Sequence, residues 1–270
     1  MDSENITVKS YECKQYPWKQ SAHALFNCMR ELDYLKSALK YMAIAPRYYP
    51  EYVDYLKIED ITKLIFPMTC FCDIPLSKLH YHIKNYGAYS IGLDKANWGI
   101  KNKLQPIKYV NQNSQLLKDF VSSFKVAKEI ALSGKAKTIK DYIVSDLLFT
   151  KPIIGKMDRK DKVEETLFQD ECEWRYVPYF SDDIDIPLIL SQIETKAVIY
   201  NLEYYNEVIK QHKGLWLHFQ IKDIRYLIVP TEKDCKDILE FIFNELDIPK
   251  NDKYFLATKI VQMDNLKEDI

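Results

Sequence analysis

The run FPMTCFCDI, Phe66–Ile74, constrains this chain most. It is too apolar and too short for a surface helix, and Pro67 and Pro75 bracket it, which predicts a buried strand. Ser77 then predicts the cap of a short helix ending at Tyr86-Gly87, where glycine accepts a left-handed turn, and a second strand follows over 88–93. A strand buried on both faces needs sheet neighbours and helices to cover it. The later segments ECEWRYVPY, KAVIYNL, LWLHFQI and IRYLIVP supply strand candidates.

Helical spacing is clearest at Leu32, Leu35, Leu39 and Met42, with Ala45-Pro46 as the stop. Ser114–Ser133 reads as an amphipathic helix closed by Gly134, and Thr138 with Asp141 predicts the cap of another running to Phe149. A helix over Glu203–His212 closed by Gly214 and one capped by Thr231 complete the set. The charged segment Lys151–Glu165 reads as a mobile surface loop. With no repeat and no Gly/Ser linker, the pattern is α+β: one compact mixed domain, 1–270, with a helical insertion at 111–150.

Charge narrows the function classes. With 38 basic and 39 acidic residues among 270, the net charge of -1 offers no global field for nucleic acid or an anionic membrane. The first twenty residues lack the apolar core of a signal peptide and no apolar run reaches membrane-spanning length, which points to a cytoplasmic protein. Six scattered cysteines fit reduced thiols.

Five constellations could carry chemistry or contacts. Cys70, Cys72, His80 and His82 invite a metal, but the two histidines diverge by about 200° on a helix, so at most one joins the thiols. The reading is packing, with no metal assigned. On the strand after Gly87, residues Ala88, Ser90 and Gly92 share a bare face that suits a flat ligand or a closely packed helix. In DECEWRYV, Glu171, Glu173 and Arg175 point one way, and Cys172, Trp174 and Tyr176 point into the core. Two carboxylates so placed can divide acid/base work, with Arg175 keeping Glu173 ionised; a solvated face with a local ion pair is the alternative. Cys28, near His23 and Asn27, is a nucleophile candidate by sequence proximity alone. RYYPEYVDYLK gathers Arg47, Tyr48 and Tyr49 as a surface for a protein partner or for base stacking.

The block CFCDIPLS at 70–77, together with YGAYSIG, WGI and EWRY, resembles the bacterial abortive-infection AbiGi family. The resemblance spans roughly 26–178 and implies a phage-resistance protein, one half of a two-gene toxin-antitoxin system, that binds a cognate toxin or a phage product. A further resemblance, to the ADP-ribosyltransferase scaffold, implies a strongly bent or split sheet. It also implies an alternative function, NAD-dependent modification of protein or nucleic acid. Under it Glu173 contacts the nicotinamide ribose, Glu171 lies nearer the acceptor, and Asn27, Tyr86, Tyr89 and Ser90 line the NAD site. Asn27, in LFNC, stands where that scaffold carries a histidine.

Overall fold

In a computed structural model the described residues are 20–57, 61–132, 137–159, 162–180, 184–191 and 202–266. The strands in chain order are β1 (Ala24–Met29), β2 (Ala43–Ile44), β3 (Arg47–Tyr52), β4 (Lys63–Cys72), β5 (Tyr89–Asp94), β6 (Gln105–Pro106), β7 (Lys108–Val110), β8 (Thr150–Pro152), β9 (Ile154–Arg159), β10 (Lys162–Leu167), β11 (Glu173–Tyr176), β12 (Leu190–Ser191), β13 (Leu217–His218), β14 (Ile224–Val229) and β15 (Ile260–Gln262). The helices are α1 (Leu32–Tyr41), α2 (Leu79–Tyr86), α3 (Gln115–Leu132), α4 (Lys137–Leu148), α5 (Leu202–Gln211), α6 (Glu232–Glu240), α7 (Lys250–Ala257) and α8 (Met263–Leu266). The class is α+β, as the sequence predicts.

The main sheet runs β15-β14-β5-β1-β4-β11-β6, and β3 and β12 also pair with β4. The long strand β4 is where the sheet splits. Its first half pairs with β3 and β12, and its last four residues, Thr69–Cys72, pair with β11. Pro67 therefore lies inside the strand and does not bracket it. Opposite Tyr48 on one edge, Pro67 has its other edge in the gap between the β12 and β11 pairings, where its missing N–H breaks no ladder among the described residues.

Both faces of β4 are covered, which explains its unbroken apolar character. Phe71 packs with Leu25, Ile91, Leu93 and Leu227 against Leu35 and Leu39 of α1 and Ile238 of α6. On the opposite face, Leu64, Phe66 and Met68 meet Leu117 of α3 and Leu147 and Leu148 of α4. Further along that face Cys72 meets Leu79 and Ile83 of α2. One sheet face thus passes from the cover of α3 and α4 to the cover of α2, and the polar cluster described below lies at the join.

The family-like motif residues hold local geometry. The Asp73 carboxylate accepts from the Ala22 N–H and pairs with the fully buried Lys95 at 2.8 Å, tying the end of β4 to the turn after β5. The Trp98 indole donates to the His218 carbonyl at 2.9 Å. Gly87 has φ +126, and a Cβ there stands 2.1 Å from the Met29 carbonyl oxygen, so the close approach of α2's end to β1 demands glycine.

Several expectations change. Ser77 forms no cap hydrogen bond: a 3-10 turn, Leu76–Lys78, precedes α2. α1 ends at Tyr41, before Ala45-Pro46, with Met42 in the left-handed region. Ser114 caps α3 by accepting from Leu117 N–H, whereas α4 starts one residue before Thr138. Lys151–Glu165 is no loop: it supplies most of β8 and of the paired strands β9 and β10, held by Tyr52 of β3 donating to Asp158, by Lys63 of β4 pairing with Asp158 and by Lys156 pairing with Asp54 just past β3. LWLHFQI contributes two strand residues, Leu217 and His218. KAVIYNL and Gly134 lie outside the described residues, apart from Leu202 at the start of α5. The Thr231 capping box forms with Asp234, while α7, β15 and α8 had no sequence counterpart. No helix among the described residues is long and apolar enough to cross a membrane.

Candidate functional site

The short strand β11 emerges from a 3-10 turn, Phe168–Glu171, through Cys172 in the left-handed region (φ 44). This break leaves Cys172 exposed, correcting its expected place in the core, while Trp174 and Tyr176 pack on the main core as predicted. Glu171, Glu173 and Arg175 converge on one side, and that side is buried, not solvated.

Arg175 is fully buried and all three of its guanidinium nitrogens donate hydrogen bonds. Its Nε donates to Glu173 Oε1 at 2.8 Å, its Nη1 and Nη2 donate to the two Glu51 oxygens at 2.9 and 2.6 Å, and Nη1 also donates to the Leu148 carbonyl at 2.6 Å. Lys151 Nζ lies 2.7 Å from Glu173 Oε2, 3.3 Å from Glu51 and 3.5 Å from Glu171. Tyr86 donates its hydroxyl to Glu171, and the Glu173 N–H donates to the Tyr109 hydroxyl at 2.7 Å. Three carboxylates against two cations leave a formal charge of -1 in a largely buried site.

The two neighbouring carboxyls titrate in opposite directions. Burial pushes Glu173 upward, but Arg175 and Lys151 outweigh it and hold the group well below the ordinary carboxylate range. At Glu171 burial dominates, the repulsion of Glu173 adds to it, and Lys151 only partly offsets both, so the net direction is up. Lys151 loses to burial yet gains more from Glu173, Glu51 and Glu171, which keeps it charged. The cluster braces β3, α2, β8 and β11, and through the Leu148 carbonyl it ties in α4. The cavity beside it, about 30 Å³ and lined by Tyr49, Glu51, Lys151 and Phe168, accommodates one or two waters.

The other anticipated residues make their hydrogen bonds outside this cluster. Asn27 donates to the Cys70 carbonyl at 2.8 Å, Ser90 is buried and donates to the Asn27 carbonyl at 2.9 Å, and Tyr89 donates to Asp234 at 3.0 Å. The bare face at Gly92 is filled by the stacked rings of Phe26 and Tyr226, which a Cβ would meet at 2.8 and 3.1 Å. Small residues here make room for side chains of adjacent strands, where a ligand or a helix was expected. In the tyrosine cluster Arg47 and Tyr49 are exposed, but Tyr48 is buried: its hydroxyl donates to the Pro187 carbonyl and its N–H to Asn206. Tyr48 is thereby removed from the expected partner surface, because alternation along β3 turns it to the opposite face from Arg47 and Tyr49.

Both histidines are half-buried: His80 contacts the Ser77 carbonyl, whereas His82 faces the sheet. Cys70 is not its companion. The ligand atoms of Cys28, Cys72 and His82 all lie within 4.8 Å of one another, and burial lowers the His82 pKa to about 4. Sequence reasoning missed Glu51, Lys151 and the Cys28–His82 approach. Glu51 stood in view on the face of RYYPEY that carries Tyr49; Lys151 gave no signal.

A profile of the family described as "Putative abortive phage resistance protein AbiGi, antitoxin" matches residues 42–230. A Lactococcus lactis subsp. cremoris protein, "Abortive phage resistance protein AbiGi", is 33% identical over 250 residues, covering 84% of this chain and 100% of its own length. This chain belongs to the AbiGi family. No solved structure matches, so the resemblance to the ADP-ribosyltransferase scaffold gains no support from a known fold. All five members of the ionic brace fall inside the segment matched to the AbiGi family, as do Cys72 and His82, while Cys28 precedes it.

Proposed function

We propose that this chain is an anti-phage abortive-infection protein that works by binding a protein partner, in an antitoxin-type role beside a toxin. Its membership in the AbiGi family over the relative's whole length carries this reading. The polar cluster fits it. Both Glu173 oxygens are engaged by cations, as are both Glu51 oxygens, and the adjoining cavity is water-sized, so the cluster acts as an internal brace for the surfaces it supports. NAD-dependent transfer is the second reading. What favours it is Glu171, a buried carboxyl with a raised pKa, 3.5 Å from Lys151 and hydrogen-bonded by Tyr86.

Phage challenge of bacteria carrying the chain with its neighbouring genes tests the defence role. Infected cells should die without a burst, and deleting the chain should restore plaques or, for an antitoxin, kill uninfected cells. No change in either count contradicts the role. Partner binding is tested by co-purifying the neighbouring gene product at fixed stoichiometry, with Tyr49→Ala and Arg47→Ala as surface variants. Label from NAD appearing on any acceptor with the purified chain favours the transferase instead.

A further inference from the structure

We propose that Cys28, Cys72 and His82 form a binding site for a soft divalent transition metal of the zinc class, with three protein ligands and a fourth coordination position left for water or another donor. The backbone brings them together from three elements. Phe26 of β1 stands opposite Cys72 of β4, so Cys28, two residues on, shares the Cys72 face one diagonal step away. Across that face lies α2, fixed by Leu79 and Ile83, both buried against Cys72, Phe26 and Ile74. Leu79, His82, Ile83 and Tyr86 make one helical stripe, which points the His82 imidazole at the two thiols and turns His80 away from them, onto the Ser77 carbonyl.

Distances and chemistry fit this assignment. Tetrahedral zinc, with Zn–S of about 2.3 Å and Zn–N of about 2.0 Å, places its ligand atoms roughly 3.5 to 3.8 Å apart. The three atoms here lie within 4.8 Å of one another, so side-chain adjustments of about an ångström close the site. The set of two cysteines and one histidine is a known zinc donor set with an open position. Among the described residues neither ring nitrogen of His82 has a hydrogen-bond partner; the ring only stacks on Tyr86, with centroids 4.4 Å apart. The imidazole is half-buried and aimed at two thiols, with no protein hydrogen bond among the described residues competing for the ring nitrogen that would coordinate.

Charge also balances. Binding forms two M–S bonds and one M–N bond, displaces water from the ion and releases the two thiol protons to solvent. The resulting dithiolate complex is neutral, so it adds no net charge beside Glu173, which stands opposite Cys72 in register.

The test is metal analysis of the intact chain purified under reducing conditions, followed by cobalt(II) titration of the metal-stripped protein. The expected result is about one equivalent of bound metal and, with cobalt, thiolate charge-transfer and tetrahedral ligand-field bands saturating at about one equivalent. Cys28→Ser and His82→Ala should each weaken cobalt binding about tenfold or more, while Cys235→Ser should leave it unchanged. An aqua-cobalt spectrum from the folded, unmodified chain overturns the assignment whatever the variants do. So do unaltered bands in folded Cys28→Ser and His82→Ala, which place the metal elsewhere.

Discussion

Arg175 and Glu51, 124 residues apart in the chain, meet in a buried two-pronged ion pair at 2.9 and 2.6 Å. The pair joins β11 to β3 although neither strand touches the other in the sheet: both pair with β4, along different halves. The brace therefore holds together a sheet that splits along its longest strand.

Arg175→Met should destabilise the chain by about 3–5 kcal/mol, because it leaves Glu51 and Glu173 buried with one cation fewer. Arg175→Lys should recover only part of this, since an ammonium cannot reproduce the fork to Glu51. Urea unfolding of the three proteins checks both statements, and equal stability of all three contradicts them.

The opposite shifts of Glu171 and Glu173 give opposite pH dependences. Glu173 is depressed, so its stabilisation is full above the ordinary carboxylate range and is lost as pH falls through its lower folded value. Glu171 is raised, so its favourable contribution is full below the unfolded value and is lost as pH rises through the folded one. Unfolding free energies measured from neutral to acid pH should show Glu173→Gln flattening the acid decline. Glu171→Gln, which mimics the protonated group, should gain stability relative to the unmodified chain as pH rises toward neutrality.

At Gly92 the obstacle is two side-chain rings, and at Gly87 it is backbone. Gly92→Ala should cost about 1–3 kcal/mol as Phe26 and Tyr226 give way. Gly87→Ala should cost more, because neither the Met29 carbonyl nor the positive φ can be relieved by a rotamer. Thermal melts of the two variants order them directly, and the reverse order contradicts the packing described.

Adjacent tyrosines should separate fold from surface. Tyr48→Phe strands the Pro187 carbonyl and should cost about 1–3 kcal/mol. Tyr49→Phe should stay within about 0.5 kcal/mol. Chemical denaturation of both variants is the check.

Much of the fold was legible where one physical rule acted locally. Alternation in EWRY placed Glu173 and Arg175 on one face, the spacing of Leu35 and Leu39 marked α1, and Thr231 with Asp234 marked a capping box. The failures are non-local. A charged segment such as Lys151–Glu165 reads as loop until Asp54 and Lys63, far away in sequence, pair with it and hold its paired strands. Gly92 suggested a ligand face because the rings that fill it belong to two other strands. Lys151 and Glu51 carried no motif, and Cys28 gained meaning only when β1 paired beside β4 under α2.

The central claim, that the polar cluster braces a partner-binding protein and performs no acid/base chemistry, is tested most directly by phage plating. Cells carrying the Glu171→Gln variant in its native gene setting should be protected as well as cells with the unmodified chain. Loss of protection in a variant at least as stable as the unmodified chain would make Glu171 a catalytic group and contradict the account.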